Sequence, residues 1–101
     1  MREYIYVLKI IPRLHDEKNW SEEDRDIVGQ HFFRLKKYCE EGKVILAGKT
    51  DRVDEKGFGI VIFKEENDEK AEGFKNDDPA VKFGIMTAEV FPYRIALGVN
   101  E

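Results

Sequence analysis

The residues of this chain that could carry chemistry begin with a histidine inside a helical pattern. His31 lies in the stretch IVGQHFFRLKKYC, residues 27–39, whose apolar residues recur at helical spacing. On a helix His31 falls within the apolar arc rather than on the polar face. An imidazole in such a position, with a carboxylate against one ring nitrogen, can act as a general base through the other nitrogen.

The carboxylate that suits this role lies in the segment DDP, at Asp77 to Pro79. The predicted fold places the end of the second helix beside the first, so either aspartate is a candidate partner of His31. Gly29 interrupts the same helix, which suggests close approach of backbone or ligand there. Two structural alternatives stay open: a neutral core histidine, and an aspartate that serves only as a turn or cap before proline.

The remaining candidates predict no further site. His15 and Asp16 lie in the first loop, and neither an H-x-H nor an H-E-x-x-H spacing is present. Cys39 falls on the apolar arc near the helix C-terminus, where the dipole disfavours a thiolate, so we expect a small buried hydrophobe. No G-x-G-x-x-G joins a strand to a helix. The sequence therefore predicts neither a metal nor an organic cofactor.

Length and charge restrict the class of protein. The 101 residues suffice for a single domain, residues 1–101. A net charge of −4 argues against a nucleic-acid partner, and the cluster Arg34, Lys36 and Lys37 is interpreted as a solvated helix face. No apolar run approaches the roughly 20 residues of a membrane span, and the first ten residues are typical of a strand, not a signal peptide. A single cysteine fits a cytoplasmic location.

The elements follow in the order β-α-β-β-α-β. Strands are predicted at residues 3–12, 43–48, 58–63 and 85–97. Ser21 is the expected N-cap of the first helix and Gly42 its C-terminal cap, and Asn67 or Asp68 caps a second, shorter helix. This order predicts an α+β fold, the ferredoxin-like sandwich in which both helices cover one face of the sheet.

The first strand is apolar on both faces. Tyr4, Tyr6 and Leu8 alternate with Ile5 and Val7. Helices on one face leave the other uncovered, so we expect a homodimer formed through the sheet faces.

Three segments together resemble the YciI-like (YCII-related) family. They are HFFRLKKYCEEGKVILAG, GFGIVIF and DPAVKFGIMTAEVFPY. The resemblance implies a dimeric α+β barrel and a catalytic pair of histidine and D-P aspartate, which match His31 and Asp78. The chain departs from the family where LAGKTD has Lys49 in place of the usual proline, so a different pocket rim is expected.

Two functions follow as hypotheses. The first is a cofactor-free lyase or isomerase in which His31 moves a proton and Asp78 fixes its tautomer. Its small-molecule ligand would lie against aromatic residues such as Tyr4, Tyr6, Trp20 and Phe83. The second is a non-catalytic dimeric module that binds a small ligand or acts as an accessory factor, with the pair as a structural hydrogen bond.

Overall fold

A computed structural model describes residues 1–99 as a four-stranded antiparallel sheet with three helices. The strands are β1 (Arg2–Ile10), β2 (Val44–Lys49), β3 (Gly59–Glu65) and β4 (Met86–Pro92), in the spatial order β2-β3-β1-β4. The helices are α1 (Glu22–Glu40), α2 (Asp68–Asn76) and α3 (Pro79–Lys82). Short 3-10 turns at Pro12–His15 and Glu17–Asn19 join β1 to α1. The predicted α+β, ferredoxin-like fold is confirmed.

Helix α1 begins at a capping box. The Ser21 hydroxyl accepts from the Asp24 backbone N–H at 3.1 Å, and the Asp24 carboxylate accepts from the Ser21 N–H at 2.9 Å. Arg13 donates two hydrogen bonds of 2.9 Å to the same carboxylate, which link the start of α1 to the 3-10 turn at Pro12–His15. Gly42 follows the helix with φ of 83°, a left-handed conformation that glycine adopts without strain.

One face of the sheet forms the main core with the helices. The register sets Tyr4 opposite Phe63 and Tyr6 opposite Val61, and all four side chains are buried. Phe74 of α2 stacks on Phe63 with ring centroids 4.6 Å apart. The inward tyrosines therefore belong to a packed aromatic cluster rather than to an open pocket wall.

The opposite face of the sheet carries an apolar row. Hydrogen-bonded pairing places Leu46, Ile62, Ile5 and Phe91 side by side across all four strands. Leu46 and Phe91, at the two edges of this row, are each 45% exposed. The predicted two-sided character of the strands is therefore present in the structure.

Some local expectations were wrong. β4 ends at Pro92 rather than near residue 97, because proline has no N–H for the ladder. The segment after Asp78 forms the one-turn helix α3, not only a turn. Cys39 is exposed rather than buried.

Candidate active site

The structure brings His31 and Asp78 together. His31 lies in the middle of α1, and Asp78 is the N-cap of α3. The His31 Nδ1 atom and the Asp78 Oδ1 atom are 2.6 Å apart, although 47 positions separate the residues in the chain. The neighbouring candidate, Asp77, is exposed and is the C-cap of α2. The geometry thus distinguishes between the two aspartates that the sequence left open.

Three donors converge on the Asp78 carboxylate, which is fully buried. Besides His31, the Tyr6 hydroxyl donates to Oδ2 at 2.7 Å and the Ala80 backbone N–H donates to Oδ1 at 3.0 Å. Burial opposes ionisation of Asp78, but the hydrogen bond and charge of His31, with the Tyr6 hydrogen bond, outweigh it and lower the pKa of Asp78. The group is therefore an anion at neutral pH.

Tyr6 remains a hydrogen-bond donor for a related reason. Burial, together with the negative charge and hydrogen bond of Asp78, raises the pKa of Tyr6 well above its ordinary value. The hydroxyl therefore keeps its proton and orients the second oxygen of the carboxylate. The sequence placed Tyr6 among the pocket aromatics and missed this contact. The available signal was an inward-facing strand tyrosine, whose buried hydroxyl requires a partner.

The carboxylate fixes the state of the imidazole. Because Asp78 is an acceptor, Nδ1 of His31 carries the proton of this hydrogen bond. Nε2 makes no hydrogen bond to any residue in the described range 1–99. In the neutral ring, Nε2 is thus the nitrogen with a free lone pair.

His31 lines a cavity of about 940 Å³ between α1, the sheet and the loop that joins β2 to β3. Only 13% of the His31 side chain is exposed. The floor of the cavity is apolar, formed by Leu8, Ile10, Leu35, Val44, Val61 and Met86. Of the four aromatic residues that the sequence suggested for a pocket, Trp20 lines this cavity; Tyr4 and Tyr6 belong to the core, and Phe83 lies elsewhere.

The loop that joins β2 to β3 forms one wall of this cavity. Hydrogen bonds and an ion pair within the loop hold its conformation. The backbone N–H of Thr50 donates to the Phe58 carbonyl at 2.8 Å, and the Phe58 N–H donates to the Thr50 hydroxyl at 2.9 Å. Arg52 and Asp54 form an ion pair within the loop. A Cβ at Gly57 would lie 2.4 Å from the Arg52 carbonyl oxygen, so this turn admits only glycine without rearrangement.

Arg34 does not lie on a solvated face of α1, contrary to what the sequence predicts. Its guanidinium lies 4.2 Å from the centroid of the Phe74 ring and donates to the Phe74 carbonyl oxygen at 2.8 Å. Its charge and hydrogen bonding partly offset the rise in the pKa of Tyr6. Arg34 is therefore partly buried against Phe74 instead of facing solvent.

The other candidates do not assemble into a site. His15 lies in the first 3-10 turn. Among residues 1–99, no group of three or more histidine, cysteine, aspartate or glutamate side chains is arranged to hold a metal ion. Cys39 lies at the cavity wall as an isolated exposed thiol. None of the helices in the described part of the chain has the length and hydrophobicity that a bilayer crossing needs.

A comparison with models of protein families gives a match that covers most of the chain. The family model described as the YCII-related domain matches residues 6–94. That range includes β1 from Tyr6 onward, all three helices and the whole of β4. No curated protein matches the chain.

Proposed function

The chain belongs to the family of YCII-related domains, and from that premise we propose that it is an enzyme that performs general acid–base chemistry of the lyase or isomerase type on a small molecule. One observation carries the proposal: a histidine with a 2.6 Å bond to a buried carboxylate lies in the wall of a cavity of about 940 Å³. This volume is within the range of ordinary small-molecule sites.

The proposed proton transfer uses the free nitrogen of His31. Nε2 takes a proton from a carbon or hydroxyl group of the substrate, and the ring becomes an imidazolium. The negative charge of Asp78 stabilises that imidazolium, and the Tyr6 hydroxyl holds the carboxylate in place. The proton then returns either to a different atom of the substrate, as in an isomerase, or to a leaving group, as in a lyase. Asp78 thus acts through His31 as a positioning residue.

Isotope exchange tests the proposal across several classes of candidate substrate at once. A panel of small carbonyl compounds, lactones and phenols is incubated with the protein in D₂O. Loss of the signals of carbon-bound protons is followed by NMR, because hydroxyl protons exchange with D₂O without a catalyst. We expect exchange of at least one compound to require the protein and to fall by about 10²–10⁴-fold in His31→Gln. The matched control is His15→Gln, since His15 is the only other histidine. Exchange that is equally fast in His31→Gln would rule out His31 as the base.

The proposed chemistry is assigned to side chains alone, so no metal or organic cofactor is expected to be required. Tag-free protein dialysed against EDTA should retain its full exchange activity. Activity that disappears on dialysis and returns with a divalent metal ion would contradict this expectation.

A second function is supported by the helix cap at Asp78. The same carboxylate that holds His31 also accepts from the Ala80 N–H, so the pair links α1 to the start of α3. A non-catalytic ligand-binding module would use the pair only as this structural link. In that case the wild-type protein binds ligand but catalyses no exchange, and His31→Gln lowers the free energy of unfolding without any catalytic effect.

A further inference from the structure

The cavity beside His31 has an incompletely covered aromatic rim. Phe32 of α1 is 61% exposed, and Phe58 at the end of the β2–β3 loop is 44% exposed. Both line the cavity, together with the half-buried Trp20. Exposed aromatic surface around an apolar floor favours an occupant with a substantial apolar body.

The side chains that line this cavity carry a net positive charge, whereas the whole chain carries a net negative charge. Four cationic side chains line it (Arg25, Lys36, Lys49 and Arg52), against two carboxylates (Glu40 and Asp54). The Arg52–Asp54 ion pair accounts for one charge of each sign. Arg25, Lys36 and Lys49 form no salt bridge within residues 1–99. The cavity is therefore locally cationic in a chain whose net charge is −4.

From this charge pattern we propose that the cavity binds an apolar small molecule that carries a carboxylate, with Lys36 and Lys49 as the cations that select the charged group. The inference rests on the proposed function, since it specifies the ligand class of the same cavity. The ring-bearing side chains contact the apolar body, and the two flexible lysines reach the carboxylate at the rim.

Gly29 provides an independent observation at the same wall. It lines the cavity in the middle of α1, and a Cβ built on it would meet nothing within 4 Å. Glycine in a helix interior lowers helix stability relative to alanine. Since no neighbouring side chain requires its small size, this glycine leaves space that a bound ligand can fill.

Binding of matched neutral and anionic probes tests the charge selection. The probes are 2-naphthoate and 2-naphthalenemethanol, which share the ring system and differ in charge. Their affinities are measured by calorimetry and by the indole N–H resonance of Trp20, the only tryptophan of the chain. We expect wild type to bind the naphthoate about tenfold more tightly than the alcohol.

The variants assign that difference to particular residues. Lys36→Gln/Lys49→Gln should remove the preference and leave the affinity for the alcohol unchanged. Lys18→Gln/Lys82→Gln is the matched control, because both lysines are exposed and neither lines the cavity. The inference is overturned if wild type shows no preference, if it binds neither probe at millimolar concentration, or if the control loses the preference equally.

A third variant separates this inference from the proposed function. His31→Gln should retain the preference for the naphthoate, because the lysines are unchanged. Proton exchange that is equally fast in His31→Gln, with the naphthoate preference retained, would contradict only the catalytic proposal. Exchange that is lost in His31→Gln, with no preference for the naphthoate in wild type, would contradict only the ligand class.

Discussion

The Asp78 carboxylate joins His31 of α1, Tyr6 of β1 and the backbone of Ala80, so its replacement should be visible at the imidazole. Asp78→Asn preserves the shape but removes the anionic acceptor. We expect the neutral His31 ring to change from the tautomer protonated at Nδ1 to a mixture of both tautomers. Nitrogen-15 NMR of the ring reports the tautomer directly.

The neighbouring aspartate supplies the control for this measurement. Asp77→Asn removes the same charge from an exposed position one residue away and should leave the His31 signals unchanged. A tautomer that is identical in wild type and Asp78→Asn would show that Asp78 does not fix the ring.

The lowered pKa of Asp78 predicts a specific acid dependence of stability. In the unfolded chain Asp78 binds its proton with a pKa near the ordinary value of 3.8, whereas in the native chain its pKa is lower. The unfolded chain therefore binds more protons across this window, and the free energy of unfolding rises with pH. The contribution is fully present above the unfolded pKa and is lost as pH falls through the folded pKa. Asp78→Asn should therefore show a shallower fall in stability below about pH 5, measured by urea unfolding. An unchanged slope would contradict the prediction. Asp24, whose pKa Arg13 and Ser21 also lower, contributes equally to both proteins.

Only some of the residues that form the candidate site could be predicted from the sequence. Helical periodicity singled out His31, and the D-P motif with the family resemblance singled out Asp78. The contact of Tyr6 with Asp78 depends on strand and helix placement across 72 positions, which no local pattern encodes. The polar wheel position of Arg34 predicts exposure to solvent, whereas in the structure the ring of Phe74 attracts its guanidinium.

At the scale of the elements, replacement of glycine by alanine is expected to change the free energy of unfolding in opposite directions at different positions. Gly29 in α1 and Gly73 in α2 have open space around a built Cβ, so alanine should raise the free energy of unfolding by about 0.5–1 kcal/mol at each. At Gly57 the new Cβ would collide with the Arg52 carbonyl, and alanine should cost about 1–3 kcal/mol. Urea unfolding of the three variants measures these changes. Stabilisation by Gly57→Ala, or destabilisation by Gly73→Ala, would show that the local packing is different.

Element boundaries were predictable where a local signal sets them. Ser21 caps α1, Asn67 caps α2 and Gly42 follows α1 with positive φ, as their residue types indicate. The one-turn helix α3 is too short to show an apolar period, so only its Asp78 cap and Pro79 indicate it. Helical periodicity predicts that Cys39 lies in the core, but the cavity under that end of α1 leaves it exposed.

At the scale of the whole molecule, the two faces of the sheet differ in what covers them. The face of Tyr4 and Tyr6 is buried by α1 and α2, whereas the row Leu46, Ile62, Ile5 and Phe91 forms no buried cluster with a helix in the described range 1–99. Ile60 and Val7 pair directly beside this row and extend it. Ile62 at the centre of the strip is only 6% exposed in a single chain, whereas Leu46 and Phe91 at its two ends are each 45% exposed. The strip therefore leaves apolar surface at both edges of the sheet, and a second copy of the same strip is complementary to it.

We therefore expect the protein to be a homodimer that packs these two sheet faces together. Light scattering at micromolar concentration should give twice the 11.8 kDa mass of one chain. Phe91→Glu introduces a charge at a position that is 45% exposed in a single chain, so it should leave the fold intact and yield monomers. Phe33→Glu is the matched control, because Phe33 lies on α1 with 68% exposure, away from the sheet, and should leave the dimer unchanged. A monomeric wild type would refute the dimer, and a dimer lost only in Phe33→Glu would move the interface from the sheet to α1.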